Sequence, residues 1–225
     1  MLYAPPWSCT WDTSAAANGT HSLTARAFDA LFQGAESAGA TVTVSNTLPP
    51  PPPPPPGATA TWDPTLKAPR CGAGASCDSG NFLIGRGVLG PESNTPNTIK
   101  AGCADGNSGG YHVDESLDRL KIATLDGTAL AAGKAVRVNA TVWAYSGYSA
   151  DRLDLYYAAN ANTPTWTFLG TLIPTGSGVQ TLSTTFTLPA GALQAVRGTF
   201  RYSGSAGSCT SGGYDDHDDL VFAVQ

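Results

Sequence analysis

Charge is scarce in this chain, and positive charge most of all. Lys and Arg number 12 against 17 Asp and Glu in 225 residues, which leaves a net charge of −5. Charged residues make up 13% of the sequence, about half the share in an average globular domain. With no basic patch, nucleic acid is not an expected partner. Long apolar runs are missing too. None comes near the roughly 18 residues of a membrane-spanning helix, so no membrane partner is expected. Helical periodicity does not persist beyond a turn or two. The first residues, MLYAPPWSCTWDT, have neither a basic n-region nor an apolar h-region and do not read as a signal peptide.

Gly, Ser, Thr, Ala and Asn dominate what is present, with 26 Gly and 17 Pro. That is the composition of an all-β secreted protein with many short strands and small-residue turns. The length suits one or two domains. Cys71, Cys77, Cys103 and Cys209 form an even set among Gly, Ser and Asp, which points to disulfides and an oxidising compartment. Four buried thiols are the alternative. CGAGASC can close as a short loop, Cys71–Cys77. Cys103 and Cys209 each precede an acidic stretch, and they pair if those stretches adjoin. Cys9 is then odd, either paired outside this chain or free. Export-type cysteines without an export signal suggest the tail of a longer extracellular or cell-surface protein.

The clearest boundary is the run Pro49–Pro56. Such a run forms a stiff polyproline spacer of about 25 Å. It divides the chain into 1–47, a linker at 48–57, and 58–225. In the first part, WSCTWD alternates Trp7, Cys9 and Trp11 against Ser8 and Thr10. Asn18-Gly19 is a turn signal. HSLTARAFDA and ATVTVSN alternate as two further strands. These stretches, W-S-C-T-W-D-T, N-G-T-H-S-L-T-A-R-A-F-D-A and T-V-T-V-S-N, resemble the second half of a bacterial Ig-like domain. The resemblance implies a truncated sandwich, which three strands cannot close. This part is not expected to be a stable domain alone.

In 58–225, period-two alternation marks strands at TATWD, NFLIGRG, LDRLKIATL, KAVRVNATVWAY, DRLDLYYAA, TWTFLGTLI, VQTLSTTFTL, QAVRGTFRYS and DLVFAV. Nine short strands with Gly and Pro turns fit an antiparallel β-sandwich of the jelly-roll kind. The stretches L-K-A-P-R-C, C-A-D-G, Y-H-V-D-E-S-L-D-R-L, L-D-L-Y-Y-A-A-N and Y-D-D-H-D-D-L-V-F resemble C-terminal accessory domains of secreted bacterial hydrolases, notably peptidases. That resemblance implies a context and no particular chemistry.

Three sets of residues could carry chemistry. Gly106–Gly110, GNSGG, is similar to the nucleophile loop of chymotrypsin-like proteases, with Ser108 as nucleophile. Asn107 replaces the Asp of that motif, and the only earlier histidine is His21, so a turn explains the string better. The second set is acidic. Asp118 heads the stripe Leu120, Ile122, and Asp218 heads Leu220, Phe222. Period two aims both carboxylates inward. Asp114, Glu115, Asp215, Asp216 and Asp219 crowd the same approaches, while Arg119 and Lys121 alternate to the other face. A buried carboxylate needs a partner, and structural calcium, with six to eight oxygen ligands, fits best. A solvated loop, zinc through His112 and His217, and a glycosidase-like acid pair are the rival readings. The third set is aromatic. Trp143 and Trp166 read as packing, while Tyr145 and Tyr148 are candidates to stack on a ligand.

Together these point to a non-catalytic, calcium-stabilised accessory or binding module of a secreted hydrolase or surface protein. The expected form is a monomer, with polysaccharide, cell wall or a protein substrate as partner. A hydrolase using the acidic cluster, and a purely structural stalk, are the alternatives.

Overall fold

The computed structural model describes residues 8–46 and 56–225 and divides into two compact units at Pro52. Trp7 and nearly all of the proline run, where the stiff spacer is expected, lie outside the described residues. Both units are all β.

The first unit contains β1 (Gly19–Leu23), β2 (Arg26–Phe28), β3 (Gly34–Glu36) and β4 (Ala40–Val44). β1 pairs antiparallel with β4, and β2 with β3. WSCTWD forms no strand from Ser8 onward, and HSLTARAFDA breaks at Thr24–Ala25. Asn18-Gly19 is not a hairpin turn. Asn18 instead accepts the backbone N–H of Asn46, whose side chain donates to Thr13 O at 2.7 Å and Ala16 O at 2.9 Å. Apolar burial is slight. Val44 is buried, while Leu23, Phe28, Leu31 and Phe32 stay exposed. Two-stranded pairs with so little apolar cover are marginal on their own.

The second unit contains β5 (Ala58–Thr59), β6 (Thr61–Asp63), β7 (Ala68–Cys71), β8 (Ser76–Asp78), β9 (Ser116–Thr124), β10 (Ala135–Ala144), β11 (Asp151–Ala158), β12 (Thr167–Leu172), β13 (Gly178–Thr187), β14 (Leu193–Tyr202) and β15 (Asp216–Ala223). One sheet runs β13-β10-β9-β8-β5, and the other β12-β11-β14-β15-β7-β6. Pairing is mostly antiparallel, with one parallel pair in each sheet, β5 with β8 and β7 with β15. β11–β12 and β10–β13 nest like the inner pairs of a jelly roll. Outside them, β9–β10 and β14–β15 are direct antiparallel neighbours. NFLIGRG is not a strand but the start of a long irregular segment, 79–115, between β8 and β9.

The two sheets bury one core. Leu120, Ile122, Val136, Val138, Ala140 and Val142 meet Leu153, Leu155, Val196, Phe200, Leu220 and Phe222. The alternation expected for β10 holds along its whole length. A second, smaller apolar cluster lies outside the six-stranded sheet, where Leu66, Ile99, Ala161 and Trp166 cover Ala195 and Val221.

Two features shape the end of the sandwich where β9 and β15 begin. Thr141 of β10 faces Arg119, and Val142 faces Leu117, so Asp118 is the extra residue of a β-bulge. Opposite Asp218 in β14 stands Gly198. A Cβ there would come within 2.4 Å of Leu117 Cδ2, so only glycine lets Leu117 pack against that strand.

The disulfides are Cys71–Cys77 and Cys103–Cys209, and Cys9 is free and exposed. The second links positions 106 residues apart. In the chain-entropy picture that closure stabilises by about 5 kcal/mol, against about 2 for the short loop. Replacing Cys103 and Cys209 with Ser should therefore lower the unfolding free energy, read by denaturant titration, clearly more than replacing Cys71 and Cys77. Equal losses would contradict this. In hydrogen exchange on the full chain, amides of β1–β4 should exchange well before those of β9, β10, β14 and β15. Matching protection would show that the first unit is stable in a way its exposed apolar residues do not explain.

Candidate metal centre

The inward stripe of β15 is Asp216, Asp218, Leu220 and Phe222. Its first two members are carboxylates in an apolar wall, both 1% exposed. Asp216 Oδ2 accepts the Leu117 N–H at 2.6 Å. Asp218 has no hydrogen-bond partner on either oxygen. Burial pushes both carboxyls well above their ordinary range. Asp105 and Glu92 add repulsion at Asp216, and at Asp218 so do Asp216, Glu92, Asp105 and Asp219.

The segment 79–115 forms the other wall. Gly106 N donates to Asp215 O at 2.7 Å, and Ser108 N to Gly213 O at 2.8 Å, so residues 106–108 run alongside 213–215. The Cys103–Cys209 bridge fixes the same approach. Asp105 follows Cys103 by two residues. Its carboxylate is 1% exposed and accepts the His217 N–H at 2.9 Å. Glu92 accepts a hydrogen bond from the Asn97 amide. Burial, then the neighbouring Asp105, pushes the Glu92 carboxyl up to about 8. Arg86, fully buried, donates to the carbonyls of Tyr214 (2.6 Å) and Ser108 and is the guanidinium that offsets Asp216.

The other acidic residues take separate roles. By period two Asp118 should point inward, but the bulge turns Leu117 into the core in its place. Asp118 instead accepts from His112 Nε2 at 2.8 Å and Ser116 Oγ at 2.9 Å, on the side of Trp143, where His112 stacks at 4.3 Å. Asp118 and Asp218 are therefore not matched heads of two inward stripes, which was the geometric ground for expecting them to share one ion. Asp219 points to the outer face, gripped by Arg197 through two 2.7 Å hydrogen bonds and by Ile99 N at 2.6 Å. The expectation that Asp219 helps hold a metal yields to this protein cation. Asp114 accepts from Gly110 N and Asp215 from Gly212 N, each closing its own turn.

Glu115 lies with Asp151, not with Asp216. Burial, then the Asp151 carboxyl, pushes Glu115 up to about 8, and burial also raises Asp151. Asp151 Oδ2 accepts the Tyr145 N–H at 3.0 Å. Tyr145 and Tyr148 are both partly buried, and Tyr148 packs against the main core. Trp143 stacks on His112, and Trp166 lies under Arg197 at 4.4 Å, so both pack as the sequence suggests.

The zinc reading loses His112 from the β15 cluster. His112 lies outside the five-stranded sheet. His217 belongs to the outer face of the other sheet, where its Nε2 meets Thr210 Oγ1 at 3.0 Å, while its buried Nδ1 lies 3.7 Å from Asp105 Oδ1. Among the described residues no three His, Cys, Asp or Glu side chains form a ready-made metal site. GNSGG is a packing device. A Cβ on Gly106 would lie 2.2 Å from Gly213 O, and one on Gly109 2.0 Å from Asp114 Oδ2.

The sequence reading missed Glu92, Asn97 and Asp105. The signal for Asp105 was present in the Cys103–Cys209 pairing, which carries it to the β15 mouth. Arg197 could have been foreseen from the outward alternation of β14. Comparison with known protein families and with curated proteins found no match.

The metal-free chain should lose stability as pH rises. Glu115 has an ordinary value near 4.5 and a folded value of about 8. Its favourable contribution is complete below about 4.5 and is lost as the pH climbs to about 8. The raised Glu92, Asp216 and Asp218 act in the same sense. In chelator, the melting temperature should fall between pH 5 and 8, and Glu115→Gln should flatten part of that fall. A melting temperature that rises over this range would contradict it.

Proposed function

We propose that this chain is a non-catalytic accessory module of a secreted hydrolase or surface protein, with a calcium ion neutralising its acidic end. One observation carries the reading. The carboxylates that would do acid–base work are closed off from solvent, with Asp151 and Asp219 at 0% exposure and Glu115, Asp216 and Asp218 at 1%. A reacting group must touch its substrate, whereas an enclosed carboxylate group suits a structural ion.

Two disulfides and an all-β sandwich fit an oxidising, extracellular setting. Among the described residues no helix is long and apolar enough to cross a membrane. For attachment, the outer face of the five-stranded sheet is the favoured surface. Thr181, Ser183 and Thr185 of β13 sit beside Thr141, Asn139 and Arg137 of β10, with Val179 beside Trp143 at one end. A flat row of hydroxyl, amide and guanidinium groups beside an indole edge suits polysaccharide hydroxyls better than an apolar peptide.

The test is co-sedimentation of the full chain with insoluble polysaccharide, peptidoglycan and collagen, alongside assays for released sugar or peptide. Retention on polysaccharide without product is expected, weakened by the combined Asn139→Ala and Thr141→Ala change. Product release abolished by Glu115→Gln would make the chain an enzyme. No retention on any matrix would leave a structural stalk.

A further inference from the structure

Five side-chain oxygens at the β15 mouth are buried and accept no hydrogen bond: Glu92 Oε2, Asn97 Oδ1, Asp105 Oδ2, and Asp218 Oδ1 and Oδ2. They belong to side chains that already bear on one another. The Asn97 amide donates to Glu92. Glu92 and Asp105 repel, and both repel Asp218.

Asn97 is the informative member. It is 0% exposed, and its φ of 49° is a conformation that asparagine tolerates better than most residues. Its backbone oxygen accepts the Asp219 N–H at 3.1 Å, which moors it beside β15. Its side-chain nitrogen donates to Phe82 O at 3.0 Å and to Glu92, so two acceptors fix which end is nitrogen. The remaining amide oxygen is left bare. A buried carboxyl can relieve itself by taking a proton, but an amide oxygen at neutral pH cannot. It needs a donor or a cation. Glu92 touches the Asn97 side chain, and the contacts of Asn97 O with the Asp219 N–H and of the Asp105 carboxylate with the His217 N–H set Asn97 and Asp105 on either side of Asp218 along β15. Among the described residues the guanidinium beside these carboxylates is Arg86, whose Nη atoms donate to two carbonyls and whose Nε has no partner.

We propose that Glu92, Asn97, Asp105 and Asp218, with Asp216 alongside, form a buried calcium site between β15 and the 79–115 segment. This deepens the structural-ion reading above and moves the ion away from Asp118. The donor set is all oxygen and mixes carboxylate with amide. That is the choice of a hard cation with many ligands in flexible geometry. Zinc would want fewer ligands and more nitrogen or sulfur than the single His217 Nδ1 near Asp105 offers. Magnesium would keep waters that this enclosed set leaves little room to hold. The site also explains the fold of its own wall. An ion held by Glu92, Asn97 and Asp105 would tie three points of a long segment that has no strands of its own.

The test is calorimetric titration of the full chain, stripped with chelator, with calcium, magnesium and zinc salts. One calcium should bind, and magnesium should bind far more weakly. Glu92→Gln, Asp105→Asn and Asn97→Ala should each weaken calcium by about tenfold or more, while Asp118→Asn should leave it unchanged. Asp218→Asn should abolish binding yet raise the melting temperature of the metal-free chain, because it removes an unpaired buried charge. That opposite pair of effects shows that lost binding is not lost folding. An absence of calcium heat, or equal weakening by Asp118→Asn and Asp105→Asn, would overturn the site. Co-sedimentation reads the attachment surface separately, since Asn139 and Thr141 lie on the outer face of the other sheet.

Discussion

A carboxylate taken out of water costs several kcal/mol unless something of opposite charge, or several hydrogen-bond donors, meets it. At one end of this sandwich, Asp105, Asp216 and Asp218 are taken out of water together, with Glu92 reaching among them. Much of the surrounding structure is arranged around that concentration of charge. Gly198 opens the space opposite Asp218, and Leu117 fills part of it while its N–H meets Asp216. The Cys103–Cys209 bridge holds Asp105 against the start of β15 at a cost in chain entropy met once, on oxidation.

The outer face of the same strand solves the same problem differently. Asp219 meets Arg197 in a two-bonded pair, and Asp154 meets Arg201 one strand further on, with Arg–carboxylate distances of 2.6–2.7 Å. Buried pairs of this kind satisfy their charges within the protein. Among the described residues the inner face offers Arg86, whose Nη atoms are engaged by backbone carbonyls. The asymmetry across one strand separates charges that are paired within the protein from carboxyls that have no cation beside them.

Period-two alternation of residue type was enough to place β9 to β15, although burial itself alternates only in β9, β10 and β13, and β11, β14 and β15 are buried on both faces. It failed where the ladder is interrupted. A single bulged residue moved Asp118 from the core side to the Trp143 side, and no alternation pattern announces a bulge. The short strands β7 and β8 escaped notice because each is three or four residues long and pinned by the Cys71–Cys77 bridge more than by apolar pattern. Glu92 and Asn97 lie in a segment of turns, where residue spacing carries no direction. They come to the start of β15, where Asn97 O accepts the Asp219 N–H, only because tertiary contacts fold that segment back. Asp218 itself was legible, as the polar head of an otherwise apolar stripe.

The central claim is that an ion, not protonation, neutralises the inner carboxylates. Long-wavelength anomalous diffraction from a crystal of the full chain grown in calcium at neutral pH addresses it directly. The account predicts one anomalous peak within ligand distance of Asp218, Asp105, Glu92 and the Asn97 amide oxygen. No peak among these side chains, or an ion bound at Asp118 and His112 instead, would contradict it.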